Sequence, residues 1–331
     1  MMKVESGIKS DALSPDESRA ISIIRVMAMV AIVVCHILQG LNRPSAYIFN
    51  MGVQVFLFIS GFLYGGKQIG NIAQWLKKRL VKIYLPYILF VSFVFVLYHL
   101  KGISFPLKNL AIYTVCGQWI LGRVSGMGHL WFISCILMCY LATPFLQWLS
   151  SLLKQFLLPA ILMGDVLWFW MFGERFLGMV VSLSIYAIAY AVSGQWAKRI
   201  NLLMIMAIVS FGILSLYFKW EYILTPDERE YSTLFHALGG ITLFLCLYKF
   251  LSAIVLPACQ NVIGGGKKIL LLLDEYSFEI YLVHHIYILG PTSLLFISDC
   301  LCLNIAVVLV CIAVSAVVLK RIVQYVQNLW I

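Results

Sequence analysis

Charge is the scarcest commodity in this sequence. Of 331 residues only 11% are Asp, Glu, Lys or Arg, 62% are hydrophobic, and the mean hydropathy is +0.95. A soluble domain carries nearer 25% charged residues. The shortfall excludes a water-soluble fold: the solvent is lipid, where backbone polar groups must find partners inside the protein. The apolar/polar alternation of barrel strands is missing too, which excludes a membrane β-barrel. The remaining class is all-α, a polytopic transmembrane helix bundle.

Other absences narrow the chemistry. There is no CxxC and no HExxH, so no metal site is expected. The nine cysteines lie mostly inside apolar runs and read as free thiols acting as small hydrophobes. No cleavable signal peptide is read. The first eighteen residues are polar, with Glu5, Asp11, Asp16 and Glu17, and the first apolar run lacks a small-residue cleavage pattern, so it is expected to stay as an anchor. No internal repeat, low-complexity tract or second soluble domain is evident. Acids are few, 14 against 24 basic residues, giving a formal charge of +10. In a membrane chain this excess sets orientation and can hold an anion; no nucleic-acid partner is expected.

Ten apolar segments have spanning length: 20–39, 46–65, 83–100, 128–150, 155–172, 176–195, 201–219, 232–251, 276–297 and 302–319. An even count puts both termini on one side. With the N-terminus inside, the inner loops hold sixteen Lys and Arg and the outer ones seven, with Arg25 left within the first helix. Both termini are therefore expected in the cytoplasm. Residues 1–19 form an N-terminal segment, 20–319 the membrane domain and 320–331 a tail. Residues 107–122 read as an interfacial or re-entrant piece, and 254–275 as an inner loop with a half-helix.

Within so apolar a chain, buried ionisable residues are functional candidates by default. Arg25 and His36 share the first segment. Eleven residues bring them to within roughly 20° of one helix face and about 16 Å apart along the axis. The second segment carries Ser60 and Gly61, where a small residue lets helices, or a slim substrate, come close. The basic loop 67–87 holds Lys77, Lys78, Arg79 and Lys82. It reads either as a headgroup contact or as an anion cradle at the cytoplasmic mouth. Pro86 is expected to break or kink the third helix there. His129 and Trp131 open the fourth helix near the outer interface. Glu279, His284 and His285 lie in the ninth segment, as a proton relay or as structural bonds.

These motifs, in their order, resemble the acyltransferase 3 family of integral membrane acyltransferases. The first helix has its arginine, ten residues, then its histidine (Arg25, His36). The second has G-V-x-x-F-x-x-x-S-G-F (Gly52 to Phe62). A basic stretch ending I-x-x-P follows (Arg79 to Pro86), then L-W-F (Leu130 to Phe132) and a late S-x-x-I-Y-L-x-H (Ser277 to His284). The resemblance covers about residues 20–290. It implies transfer of an acyl group, usually acetyl, from cytoplasmic acyl-CoA to a hydroxyl of a surface polysaccharide or its lipid-linked precursor.

The resemblance also implies roles. His36 is the catalyst, assisted by Arg25. The basic motif, Arg79 and Lys82, contacts the coenzyme; on that footing Lys78 is expected to join them at the phosphates, with Ser60 and Gly61 beside the pantetheine arm and Ser60 the nearest candidate oxyanion donor by sequence. Glu279, His284 and Trp131 position the acceptor. No tightly bound cofactor is implied; acetyl-CoA is a cosubstrate, and the partners are the glycan acceptor and membrane lipids, in a bacterial inner membrane. Two departures stand out. Lys82 replaces the second arginine of the family's basic motif, and Ser22 stands where the family often places an acid. Either Asp16 or Glu17 substitutes, or Arg25 is paired differently. The alternative reading is a transporter or flippase with a His/Glu/Arg pathway.

Overall fold

The computed structural model describes residues 13–118, 124–173, 177–193, 212, 229–256 and 264–330. Among them every regular element is helical. The elements are α1 (Pro15–Gly40), α2 (Ala46–Phe49), α3 (Gly52–Tyr64), α4 (Ile72–Leu100), α5 (Leu107–Thr114), α6 (Trp131–Leu153), α7 (Leu157–Phe172), α8 (Leu177–Ala191), α9 (Arg229–Phe250), α10 (Gly264–Ile288) and α11 (Leu301–Trp330).

Six stretches among the described residues are long and apolar enough to cross a membrane: Pro15–Gly40, Ala46–Tyr64, Ile72–Leu100, Gly128–Phe172, His236–Val255 and Leu301–Leu329. About ten were expected. Of the segment 201–219 only residue 212 is among the described residues. Segments 155–172 and 176–195 form helices of 16 and 15 residues, shorter than the ~20 that an upright span requires. Of the segment 276–297 only residues 276–288 are helical, as the end of α10, which also carries Asp274, Glu275 and Glu279. Much of the outer surface is apolar, as lipid contact demands: Trp170 on α7 is 81% exposed and Val96 on α4 58%.

Several boundaries differ from expectation. The basic stretch before residue 83 is not a loop but the first turns of α4, which starts at Ile72 with Asn71 as its cap and runs on through Pro86. The half-helix expected within 254–275 is the beginning of α10. Residues 320–330, expected as a tail, continue α11. Residues 107–114 form the short helix α5.

The centre of the molecule is the pairing of α1 with α10. The two run parallel. Arg25 meets Asp274 near one end and His36 meets His284 near the other, after eleven residues on α1 and ten on α10. At 1.5 Å per residue these advances nearly match, so the contacts form two rungs about 15 Å apart. Helix α3 packs on α1 from one side and α8 on α3 from the other. Gly61 makes the second approach possible: a Cβ there would collide with the Tyr186 carbonyl of α8. Helix α11 packs on α10 and returns Lys320 to the Arg25 level. Pro15 and Trp330 therefore lie toward the same face of the bundle.

Candidate active site

The lower rung is an ion pair. Arg25 Nη1 lies 2.6 Å from Asp274 Oδ1, with both side chains partly buried. This supplies the acid that Ser22 does not. Neither acid considered from the sequence does so: Glu17 closes a capping box with Ser14 at the start of α1, and Asp16 lies 3.8 Å from Arg19. Around the rung opens a cavity of about 530 Å³, within the range of small-molecule sites, roughly 300–1,000 Å³. Its polar lining includes Arg25, Ser60, Arg79, Lys82, Asp274, Glu275, Glu279 and Lys320. Arg25 is paired with Asp274, and Lys320 with Glu275 at 3.1 Å. Arg79 and Lys82 are in no ion pair among the described residues. Arg79 stacks over the Tyr64 ring at 5.1 Å, and its Nε is buried without a hydrogen-bond partner.

Lys78 turns to a neighbouring pocket of about 340 Å³, lined by Tyr64, Lys67, Trp75 and the 68–71 loop and sharing Arg79 with the main cavity. The expected phosphate cradle is thus two-sided: Lys82 to one side, Lys78 to the other, Arg79 common to both. Ser60 lines the cavity, but its hydroxyl donates to the Phe56 carbonyl at 2.9 Å. Gly61 faces α8 instead. Trp131 is not among the side chains lining the cavity.

Above the cavity lies a layer of rings. Phe132 is 6.3 Å from Phe56 and 5.3 Å from Tyr281, centroid to centroid. Tyr281 in turn contacts His129 and His284, at 5.3 and 5.8 Å.

Beyond the rings is the upper rung, and there the structure assembles more than was expected. Four of the six histidines of the chain meet: His36, His129, His284 and His285, with ring centroids 4.5 to 6.4 Å apart. His36 Nδ1 lies 2.9 Å from His284 Nε2. The other rings are tied to backbone carbonyls: His284 Nδ1 to Tyr281 at 2.7 Å, His129 Nε2 to Leu282 at 3.0 Å, His285 Nδ1 to Gly126 at 2.9 Å. His129 Nδ1 is buried without a partner among the described residues. Among the described residues, no group of three or more His, Cys, Asp or Glu is arranged to hold a metal ion.

Two glycines build the roof. Gly126 has φ +79° and Gly290 φ +90°, a region that side chains disfavour. A Cβ on Gly290 would lie 2.6 Å from Gly126 Cα. Their contact seats the loop before α6 on the end of α10 and brings the Gly126 carbonyl to His285.

A family model described as an acyltransferase domain, acyltransferase 3, matches residues 18–320. The chain belongs to this family. The matched range runs from the first turns of α1 to Lys320 on α11, so both rungs, the histidine cluster and all of the cavity lining except Val323, Gln324 and Gln327 lie within it. No curated protein and no solved structure matches the chain. The sequence of this acyltransferase assigns no site role to Asp274, His129 or His285. Asp274 fell in a stretch read as a loop, and His129 looked like an interfacial residue. The one signal available was spacing: ten residues from Asp274 to His284, against eleven from Arg25 to His36.

Proposed function

We propose that this acyltransferase is a membrane-embedded O-acyltransferase. It moves an acyl group, acetyl in the simplest case, from cytoplasmic acyl-CoA to a hydroxyl of a surface polysaccharide or lipid-linked glycan, in a bacterial inner membrane with both termini in the cytoplasm. The observation that carries this reading is the division of the α1–α10 pair into two levels. At one, α4 brings Arg79 and Lys82, in no ion pair among the described residues, to a cavity; the other holds a cluster of imidazoles. A cosubstrate with phosphates at one end and a thioester at the other needs such a division.

The residues fit the donor. Arg79, with its unsatisfied Nε, and Lys82 are the cations free to take phosphate oxygens, and Arg adds a planar fork that Lys lacks. Lys78 and Lys67 extend the positive surface into the neighbouring pocket. Arg25, engaged by Asp274, orders the cavity wall. Ser60 and the Phe56–Phe132 pair border the route of the pantetheine arm toward His36; Glu279 at the cavity and His284 at the cluster flank that route.

The reaction is then general-base acyl transfer. Imidazole, with a reference pKa near 6.5, is the side chain suited to take a proton near neutral pH. His36 takes the proton of the acceptor hydroxyl while the hydroxyl oxygen attacks the thioester carbonyl. The C–O bond forms, the C–S bond breaks, and the proton passes to the departing coenzyme A sulfur. A positioned base of this kind contributes about 10²–10⁴-fold.

The test uses purified protein in lipid vesicles with radiolabelled acetyl-CoA and candidate lipid-linked saccharides. Alkali-labile label should appear on the saccharide. Accumulation of an unmodified solute in the vesicles with no label transferred would replace this reading with the transporter.

A further inference from the structure

We infer that His284 is the positioning residue of His36: it holds the His36 ring as the Nδ1–H tautomer and so makes Nε2 the atom that takes the hydroxyl proton. The inference rests on His36 being the catalytic base.

It follows from hydrogen-bond bookkeeping on the upper rung. The Tyr281 carbonyl, 2.7 Å from His284 Nδ1, can only accept, so that nitrogen carries a hydrogen. A neutral imidazole has a single N–H, which leaves His284 Nε2 as an acceptor. This nitrogen lies 2.9 Å from His36 Nδ1. His36 Nδ1 must then be the donor to His284, with the Ile32 carbonyl of the preceding turn of α1 a second acceptor for the His36 ring, and the neutral ring keeps its lone pair on Nε2. The direction of donation runs from His36 to His284 to the backbone.

The other rings of the cluster do not compete for His36 Nδ1. His129 and His285 each donate to a carbonyl of their own. The anchor is rigid: His284 has no exposed surface, and its acceptor carbonyl belongs to the preceding turn of α10. The logic is that of a Ser-His-Asp triad, in which a group behind the imidazole fixes tautomer and orientation. Here a neutral imidazole takes the place of the carboxylate. When His36 Nε2 accepts the hydroxyl proton, His36 carries two N–H groups and its charge is shared across the bridge to His284. The proton gained at Nε2 is the one later given to the leaving sulfur.

Two substitutions separate positioning from packing. His284→Leu keeps the bulk and removes the acceptor. His284→Gln restores an oxygen able to accept from His36 Nδ1–H. The inference expects His284→Leu to lower kcat by about 10²–10⁴-fold, with KM for acetyl-CoA unchanged, and His284→Gln to recover at least about tenfold of that loss. Histidine-selective 15N spectra of the full chain in lipid supply a second readout. The wild-type His36 should show a protonated Nδ1 and a bare Nε2, and His284→Leu should lose that preference.

A His284→Leu variant with wild-type kcat would overturn the inference. So would a wild-type spectrum with the His36 proton on Nε2, which needs no variant to fold. His36→Asn separates the two levels of the argument. If it is inactive while His284→Leu is active, the base stands and the positioning role falls. If it is fully active, the base itself is wrong.

Discussion

Three buried side-chain atoms have no hydrogen-bond partner among the described residues: Arg79 Nε, Glu279 Oε2 and His129 Nδ1. Each such atom costs about 1–3 kcal/mol when water is withdrawn from it. Two of them, on Arg79 and Glu279, lie at the cavity, where ligand groups can offset the cost, and the third lies in the histidine cluster. Arg79→Gln should raise KM for acetyl-CoA roughly tenfold, the loss of a charge-assisted contact, with a smaller effect on kcat in initial-rate measurements. Equal KM values would remove Arg79 from the phosphate site. Asp274→Leu leaves the Arg25 guanidinium without its partner on a partly buried wall. It should destabilise the protein by about 2–4 kcal/mol, less than a fully buried broken pair, read as a lowered unfolding temperature in detergent. Arg25, His36 and His284 were legible in the sequence because an ionisable residue in an apolar run stands out locally. Asp274 and His129 were not. Their significance comes from partners on other helices, Arg25 across 249 positions and Leu282 across 153.

The elements were legible in kind but less so in their ends. Long apolar runs announced α1, α4, α6 and α11, since lipid requires continuous apolar surface there. The ends failed where charge entered a helix. Residues 72–82 read as a basic loop because Lys and Arg interrupt the apolar run, yet Asn71 caps a helix that carries them to the cavity. Residues 254–275 read as an inner loop with a half-helix because Pro257, the glycines 264–266 and two lysines interrupt the apolar run, yet from Gly264 on they belong to α10 and deliver Asp274. The contact of Gly126 with Gly290 is what the roof of the histidine cluster depends on. Gly290→Ala would force a side chain into a φ of +90° and against Gly126. The expected cost is about 1–3 kcal/mol, measured as thermal stability, together with reduced transfer as the loop and its carbonyl move off His285. A fully stable and active Gly290→Ala protein would mean that the loop seats on α10 in some other way.

At the scale of the whole molecule, α1 and α11 both run toward the cavity face with their chain ends, while Cys300 and Cys302 are exposed at the opposite end. With both termini in the cytoplasm, a membrane-impermeant maleimide should label these cysteines in intact cells, and a C-terminal tag should stay unreached until the membrane is opened. The reverse pattern would invert the proposed orientation and place the donor cavity on the wrong side for acyl-CoA. The family match covers residues 18–320, nearly the whole chain, which takes in both rungs of the α1–α10 pair on which the proposed reaction relies. The most direct test is the transfer of radiolabelled acetyl from acetyl-CoA to a lipid-linked saccharide by wild type and by His36→Asn, which keeps a donor toward His284 but has no basic ring nitrogen. The account predicts transfer by wild type and a fall of at least about 10²-fold in the variant, with the fold intact; equal transfer by both would contradict it.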